Sequence, residues 1–138
     1  MGTITGKYTI KNLQSSPLLL LKNFRVELVK ESKLFLKARP YLQFTADEIC
    51  MATEPKDEVL GTSITWGESL RLKIKENSKV TIELFDKDDT SSHIFQYECS
   101  AKEFRLTNGS KKFNIHDKKY NQLGLLCFDF ETVSLVSK

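Results

Sequence analysis

The sequence predicts an all-β fold, a sandwich of two antiparallel sheets, and three observations predict it. Apolar and polar residues alternate strictly from Leu70 to Lys75, with Leu70, Leu72 and Ile74 on one face and Arg71, Lys73 and Lys75 on the other. A period of two is the strand period. Short runs of this kind recur about eight times with turn-forming residues between them. No stretch sustains an apolar stripe at helical spacing over the ~10–12 residues that mark a helix.

Taken in order, Lys7–Leu13 alternates weakly and is broken by Ser15-Ser16-Pro17, so residues 1–22 read as an N-terminal arm or an extra strand. From residue 23 to 138 the chain reads as one sandwich domain. Phe24, Val26 and Leu28 alternate with Arg25, Glu27 and Lys30, the pattern of a half-buried strand. Pro40 favours extended backbone into Tyr41–Phe44. Short strands are expected near Asp47–Met51, Val59–Ile64, Val80–Phe85, Ile94–Cys99, Lys112–Ile115 and Gly124–Val133. Ala101–Phe104 reads as a helical turn, and Asn108-Gly109-Ser110 as a turn suited to positive φ. Trp66 and Tyr41 are assigned to the core.

Composition narrows the function classes. The 138 residues have room for one sizeable core, and a hydrophobic fraction of 40% with nine Phe argues against disorder. Residues 1–45 carry eight Lys or Arg against two Glu, while residues 46–69 carry one Lys against six acids. That asymmetry suits a polarised surface, although the net charge is only +3. Cys50, Cys99 and Cys127 are odd in number and lack metal-ligand spacing, so buried free thiols in a reducing compartment are expected. Without a signal-peptide pattern or a long apolar run, a cytoplasmic protein, or one peripheral to a membrane, is expected.

Chemistry concentrates in one stretch. The strand Val80–Phe85 runs into Asp86, Asp88 and Asp89, followed by the polar loop to His93. His93 is expected to be exposed, and His116 with Asp117 has no nucleophile or metal-ligand spacing nearby. No nucleophile, base and orienting group form a constellation, so an enzyme is not expected. Inward-facing aromatics argue against nucleic-acid recognition.

Five segments in order carry a family resemblance: Val26–Leu34, Pro40–Phe44, Trp66–Leu72, Val80–Asp88 and Gly124–Leu126. Over residues 23–133 the chain resembles a C2 domain. The resemblance implies an eight-stranded antiparallel β-sandwich, with type II topology favoured because the first strand centres on Val26 and the last begins at Gly124. It also implies three loops at one end, where many C2 domains bind Ca²⁺ through about five Asp carboxylates and then dock on anionic phospholipid. Here Asp86 and Asp88 match the family's Asp pair, and Asp89 is extra. The third-loop ligand position is Ser92, the first-loop position is Arg39, and Lys33 and Lys37 stand where an acid is expected upstream. A cation beside a metal site opposes Ca²⁺, and Arg39 has Asp86 or Asp88 as an alternative partner. The metal site is therefore expected to be vestigial and to take no cofactor.

The expectation is a non-catalytic targeting module that docks on anionic membranes without calcium. Candidate contacts are Lys33, Lys37 and Arg39 in the first loop, Phe35 as an inserting tip, and the stripe Arg71, Lys73 and Lys75 with its neighbour Lys79. Two alternatives stay open: a protein–protein scaffold domain within a larger assembly, and calcium-dependent lipid binding with remodelled loops.

Overall fold

The computed structural model describes residues 18–30, 35, 38–57, 59, 61–75, 77–90, 94–104, 108–116 and 119–133. Among these residues, nine strand segments form two antiparallel sheets. In the first sheet, β1 (Leu18–Leu28) lies between the final strand β9 (Gln122–Val133) and an edge row made of β4 (Ser63–Trp66) and β5 (Leu70–Lys73). The strand β8 (Asn108–His116) pairs with the other side of β9. In the second sheet the order is β3 (Ile49–Ala52), β2 (Pro40–Ala46), β6 (Lys79–Asp86) and β7 (Phe95–Ser100). Since β4 and β5 share one edge of β1, the nine segments make eight rows. The first strand thus lies between the edge row and the last strand, in the order β4-β1-β9-β8.

The edge row breaks where β1 bulges. Trp66 pairs with Phe24 and Leu70 with Leu21, while the β1–β9 register shifts between Lys22 and Arg25. Asn23 sits in the bulge at φ 57°, a left-handed conformation that Asn tolerates better than most residues.

Strand alternation builds the core. Leu42, Phe44, Ile82 and Leu84 of one sheet meet Leu19, Leu21, Val26, Leu126 and Phe128 of the other. Phe24, Phe44 and Phe128 are in mutual ring contact at 5.4–6.1 Å. Full burial of a side chain of this size contributes about 1.5–3 kcal/mol. Trp66 joins the core, and its indole N–H donates to the Pro40 carbonyl at 3.3 Å.

Several expectations are revised. Leu18–Lys22, read with the N-terminal arm, are the first half of β1: Leu19 and Leu21 are buried there, and the bulge at Asn23 moves the buried set to Phe24, Val26 and Leu28. Asn108-Gly109-Ser110 opens β8 instead of turning. A Cβ on Gly109 would lie 2.9 Å from the Phe130 ring, so glycine serves close packing there. Tyr41 is half-buried and stacks on Phe85 at 5.6 Å, since it alternates with the inward Leu42. Cys99 and Cys127 are buried, but Cys50 is exposed, because its partner Thr45 also points away from the core.

Candidate functional site: the loop end and the outer face of the first sheet

One end of the sandwich gathers the end of β1, the start of β2, the end of β6 and the β8–β9 hairpin. There the pairing Pro40↔Asp86 ends the β2–β6 ladder and sets Arg39 beside the acidic turn. The Arg39 guanidinium grips Asp88 with two hydrogen bonds, Nη2 to Oδ1 at 2.8 Å and Nε to Oδ2 at 3.1 Å. Asp86 Oδ1 accepts from the Arg39 backbone N–H at 3.0 Å and the Asp88 N–H at 3.1 Å. The Lys87 N–H donates to the Arg39 carbonyl at 3.0 Å, and the Asp89 N–H to the Asp86 carbonyl at 3.1 Å. Asp57 adds a looser ion pair to Arg39 at 3.9 Å.

The electrostatics follow from this geometry. The hydrogen bond from Arg39 holds the Asp88 carboxyl below its ordinary range, with the guanidinium charge adding to the effect. Reciprocally, the bond to Asp88 and its charge raise Arg39 above its ordinary value. Ca²⁺ needs six to eight oxygens that are free to turn toward it. Here Arg39 occupies Asp88, and backbone N–H groups occupy one oxygen of Asp86. No group of three or more His, Cys, Asp or Glu among the described residues is placed to hold a metal ion. Among the described residues, the carboxylates of Asp86 and Asp88 are thus engaged by Arg39 and by backbone N–H groups.

Phe35 is corrected as an inserting tip. It is 1% exposed and belongs to the core, as expected for a large apolar ring that can reach between the sheets. Lys33, Lys37, Ser92 and His93 lie outside the described residues.

Arg71, Lys73 and Lys75 are exposed, while Leu72 and Ile74 between them are buried. They do not join Arg39. Arg71 pairs with Leu20, eight residues before the Leu28 end of β1, so about 25 Å of strand separates stripe and loop end at ~3.3 Å per residue. The stripe belongs instead to the outer face of the first sheet. The acids on that face are engaged locally: Glu131 with Lys22, Asp129 with Asn23 and Ser110, and Glu27 with Ser63. The hydrogen bonds from Asn23 and Ser110 hold Asp129 below the ordinary carboxylate range. Among the described residues, Arg71, Lys73, Lys75 and the exposed Lys112 have no ion-pair partner.

The outer face of the second sheet differs. It presents Gln43, Thr45, Thr81, Glu83 and Gln96 around the Tyr41–Phe85 stack, and its cation Lys79 bridges Glu98.

Sequence reasoning missed Val29 and Tyr120, both exposed at the loop end. An apolar residue just past a strand and a Tyr in a polar loop carry no periodic signal. Only the topology shows that they share one rim.

No protein-family model matches the sequence, and no curated protein sequence matches it. Solved structures do. The first-lettered C2 domain (domain A) of plant Extended Synaptotagmin 1 aligns at a TM-score of 0.68 and 12% identity, covering 88% of this chain and 97% of that one. A C2 domain-containing protein from a putative elicitor-responsive gene aligns at 0.71 and 14%, covering 89% and 93%. The tandem C2 domains A and B of Extended-Synaptotagmin 2 align at 0.71 and 11%, covering 96% of this chain and 47% of that one. The chain has the C2 fold. No helix among the described residues is long and apolar enough to cross a membrane.

Proposed function

We propose that the chain is a non-catalytic C2-type docking module that attaches to anionic phospholipid surfaces without calcium. The observation that carries this reading is the Arg39–Asp88 pair. A guanidinium bound through both carboxylate oxygens supplies, within the protein, the positive charge that Ca²⁺ supplies in many domains of this fold. The attraction to lipid then falls to the protein's own cations. The outer face of the first sheet provides them, with Arg71, Lys73, Lys75 and Lys112 exposed and the neighbouring acids engaged.

Each Lys or Arg near an anionic membrane contributes about 1 kcal/mol, so the three-residue stripe accounts for roughly a hundredfold in affinity. Such binding is weak and reversible, and in a longer protein other contacts would add to it.

Co-sedimentation tests the reading with phosphatidylcholine vesicles, with and without phosphatidylserine, in chelator and in millimolar Ca²⁺. Binding is expected only to the anionic vesicles, equally in both buffers. Combining Arg71→Glu, Lys73→Glu and Lys75→Glu lowers it about a hundredfold or more. Equal binding to neutral and anionic vesicles, or none to either, overturns the reading. A protein partner captured in a salt-sensitive manner through the same three residues, without vesicle binding, favours a scaffold role instead.

A further inference from the structure

We infer that the chain pairs with a second copy of itself through the free edge of β7, so that the four-stranded second sheets of two molecules continue into one another. The pairing stands on the strand itself; only its consequence for lipid rests on the docking reading above.

A strand paired on one side directs the N–H and C=O of every second residue to the other, and such an edge invites a further strand. Folded proteins blunt these edges with short strands, lysines, prolines or bulges. Among the described residues, the other edges carry such devices. β3 has four residues and leads through Thr53 and Glu54 to Pro55. The row of β4 and β5 is interrupted after Trp66 and carries Arg71 and Lys73. β8 carries Lys111 and Lys112 and breaks register between Ile115 and His116. By contrast, β7 has six residues with no lysine, arginine, proline or glycine. Its register with β6 is unbroken from Leu84↔Phe95 to Lys79↔Ser100. No strand among the described residues pairs with its other side.

The side chains of β7 fit a second β7. A two-fold axis normal to the sheet keeps each side chain on its own face, so alternate residues of the two strands oppose one another in kind. Gln96 and Glu98 are exposed on the outer face, and the Gln96 amide donates to Glu98 Oε1 at 3.4 Å within the chain. With the axis at Tyr97, each Gln96 opposes Glu98 of the other copy, so an amide donor meets a carboxylate twice. An axis at Glu98 would set two carboxylates directly against each other, which destabilises a strand pair. An axis at Gln96 would carry Glu98 past the Phe95 end of the strand. On the inner face, the Tyr97 register joins Phe95 to Cys99 of the second copy and Tyr97 to its counterpart. Phe95 and Tyr97 are half-buried at the margin of the core, with the Tyr97 ring 4.3 Å from that of Phe113. The junction therefore covers apolar surface as well as backbone.

Because the axis is normal to the sheets, both copies turn Arg71, Lys73 and Lys75 in the same direction. The pair is then bivalent toward an anionic membrane, which strengthens weak docking without new contacts. One short strand falls below the roughly 800 Å² per partner of a standard interface, so the association is weak and concentration-dependent.

Sedimentation equilibrium of the full chain, at concentrations rising to about 1 mM, tests the pairing. The average mass is expected to rise from monomer toward dimer and no further. Gln96→Glu sets like charges opposite each other and is expected to weaken association about tenfold. Adding Glu98→Gln, which exchanges the two side chains, is expected to restore it. Melting temperatures check that each variant is folded. Directly opposed residues of an antiparallel pair lie within disulfide reach, at Cα spacings of about 4.5–5.5 Å. In a Cys50→Ser background, a Gln96→Cys chain and a Glu98→Cys chain are therefore expected to cross-link to each other faster than either does to itself. A chain that stays monomeric throughout overturns the pairing. So does a dimer that Gln96→Glu leaves unchanged, or cross-linking as fast between like cysteines as between unlike ones. Vesicle binding enters none of these measurements, so the pairing and the docking reading fail separately.

Discussion

Just beyond the paired residues of the second sheet, Arg39 and the Asp86–Asp89 turn satisfy one another through side-chain and backbone hydrogen bonds. Just beyond those of the first sheet, Val29, Lys30, Lys119 and Tyr120 are all exposed. The two rims belong to one end of one sandwich, yet their chemistry is opposite. The acidic rim attracted notice in the sequence because carboxylates in a loop suggest a ligand. In the fold Asp88 already has one, the Arg39 guanidinium, and Asp86 accepts from the backbone N–H groups of Arg39 and Asp88. The rim with few recognisable motifs is the one whose apolar side chains, Val29 and Tyr120, face outward. Chemical density in sequence is thus a poor guide to availability in space: a charged cluster that is internally complete has less left to offer a partner than two exposed side chains on a turn.

The largest effect expected from disturbing either rim is on the first sheet's. Gly124 pairs with Leu28, and a Cβ there would lie 2.2 Å from the Glu27 carbonyl oxygen and 2.9 Å from the Leu28 Cα. These are backbone atoms and cannot swing aside. Gly124→Ala forces β9 away from β1 at the base of the hairpin and costs about 3 kcal/mol or more. Denaturant unfolding measures the loss as a lower midpoint. A midpoint within error of the unaltered chain would mean that the close β1–β9 approach does not hold in solution.

Next comes a change that would make the second sheet's rim resemble a metal site. Arg39→Asp removes the internal cation and adds a carboxylate beside Asp86 and Asp88. At a Ca²⁺ concentration ten times the dissociation constant, a single site stabilises the fold by about 1.4 kcal/mol, and a weak site of this kind lies in the ~10⁻⁴–10⁻³ M range. The variant is expected to melt higher in millimolar Ca²⁺ than in chelator, and the unaltered chain to melt equally in both. A calcium-dependent rise in the unaltered chain would break the contrast between the rims.

Much of the sandwich was legible because burial imposes a period of two. The strands around Val26, Phe44, Leu72, Ile82 and Phe128 are all visible as alternation. What escaped detection depends on neighbours distant in sequence. Gly109 looked like a turn residue, but its role comes from the Phe130 ring across the strand pair. Phe35 looked like an exposed tip because its flanks are basic, whereas the space between the sheets takes it in. The candidate site was legible in part. Arg39 against Asp86 and Asp88 followed from the family resemblance, which sets the residue before Pro40 beside the third loop, but the pairing of Val29 with the hairpin is a product of β1–β9 register.

The smallest expected effect concerns the Arg39–Asp88 bond itself, and its pH dependence identifies it. The two side chains are 36% and 55% exposed, so water and salt screen the pair strongly. Asp88→Asn removes the charge while keeping the shape, and should lower the melting temperature slightly near neutral pH. Because Arg39 holds Asp88 below its ordinary value of 3.8, the folded state takes up a proton there less readily than the unfolded state. The stabilisation is complete above the unfolded value and is lost as pH falls through the lower folded value. The gap in melting temperature between the unaltered chain and Asp88→Asn should therefore be constant from neutral pH to about pH 5 and close below about pH 4. Added salt should narrow it at neutral pH. A gap that persists undiminished to about pH 2, below the ordinary carboxylate range, would assign it to the shape of the turn, and would take from Arg39 the electrostatic part that separates this rim from its neighbour.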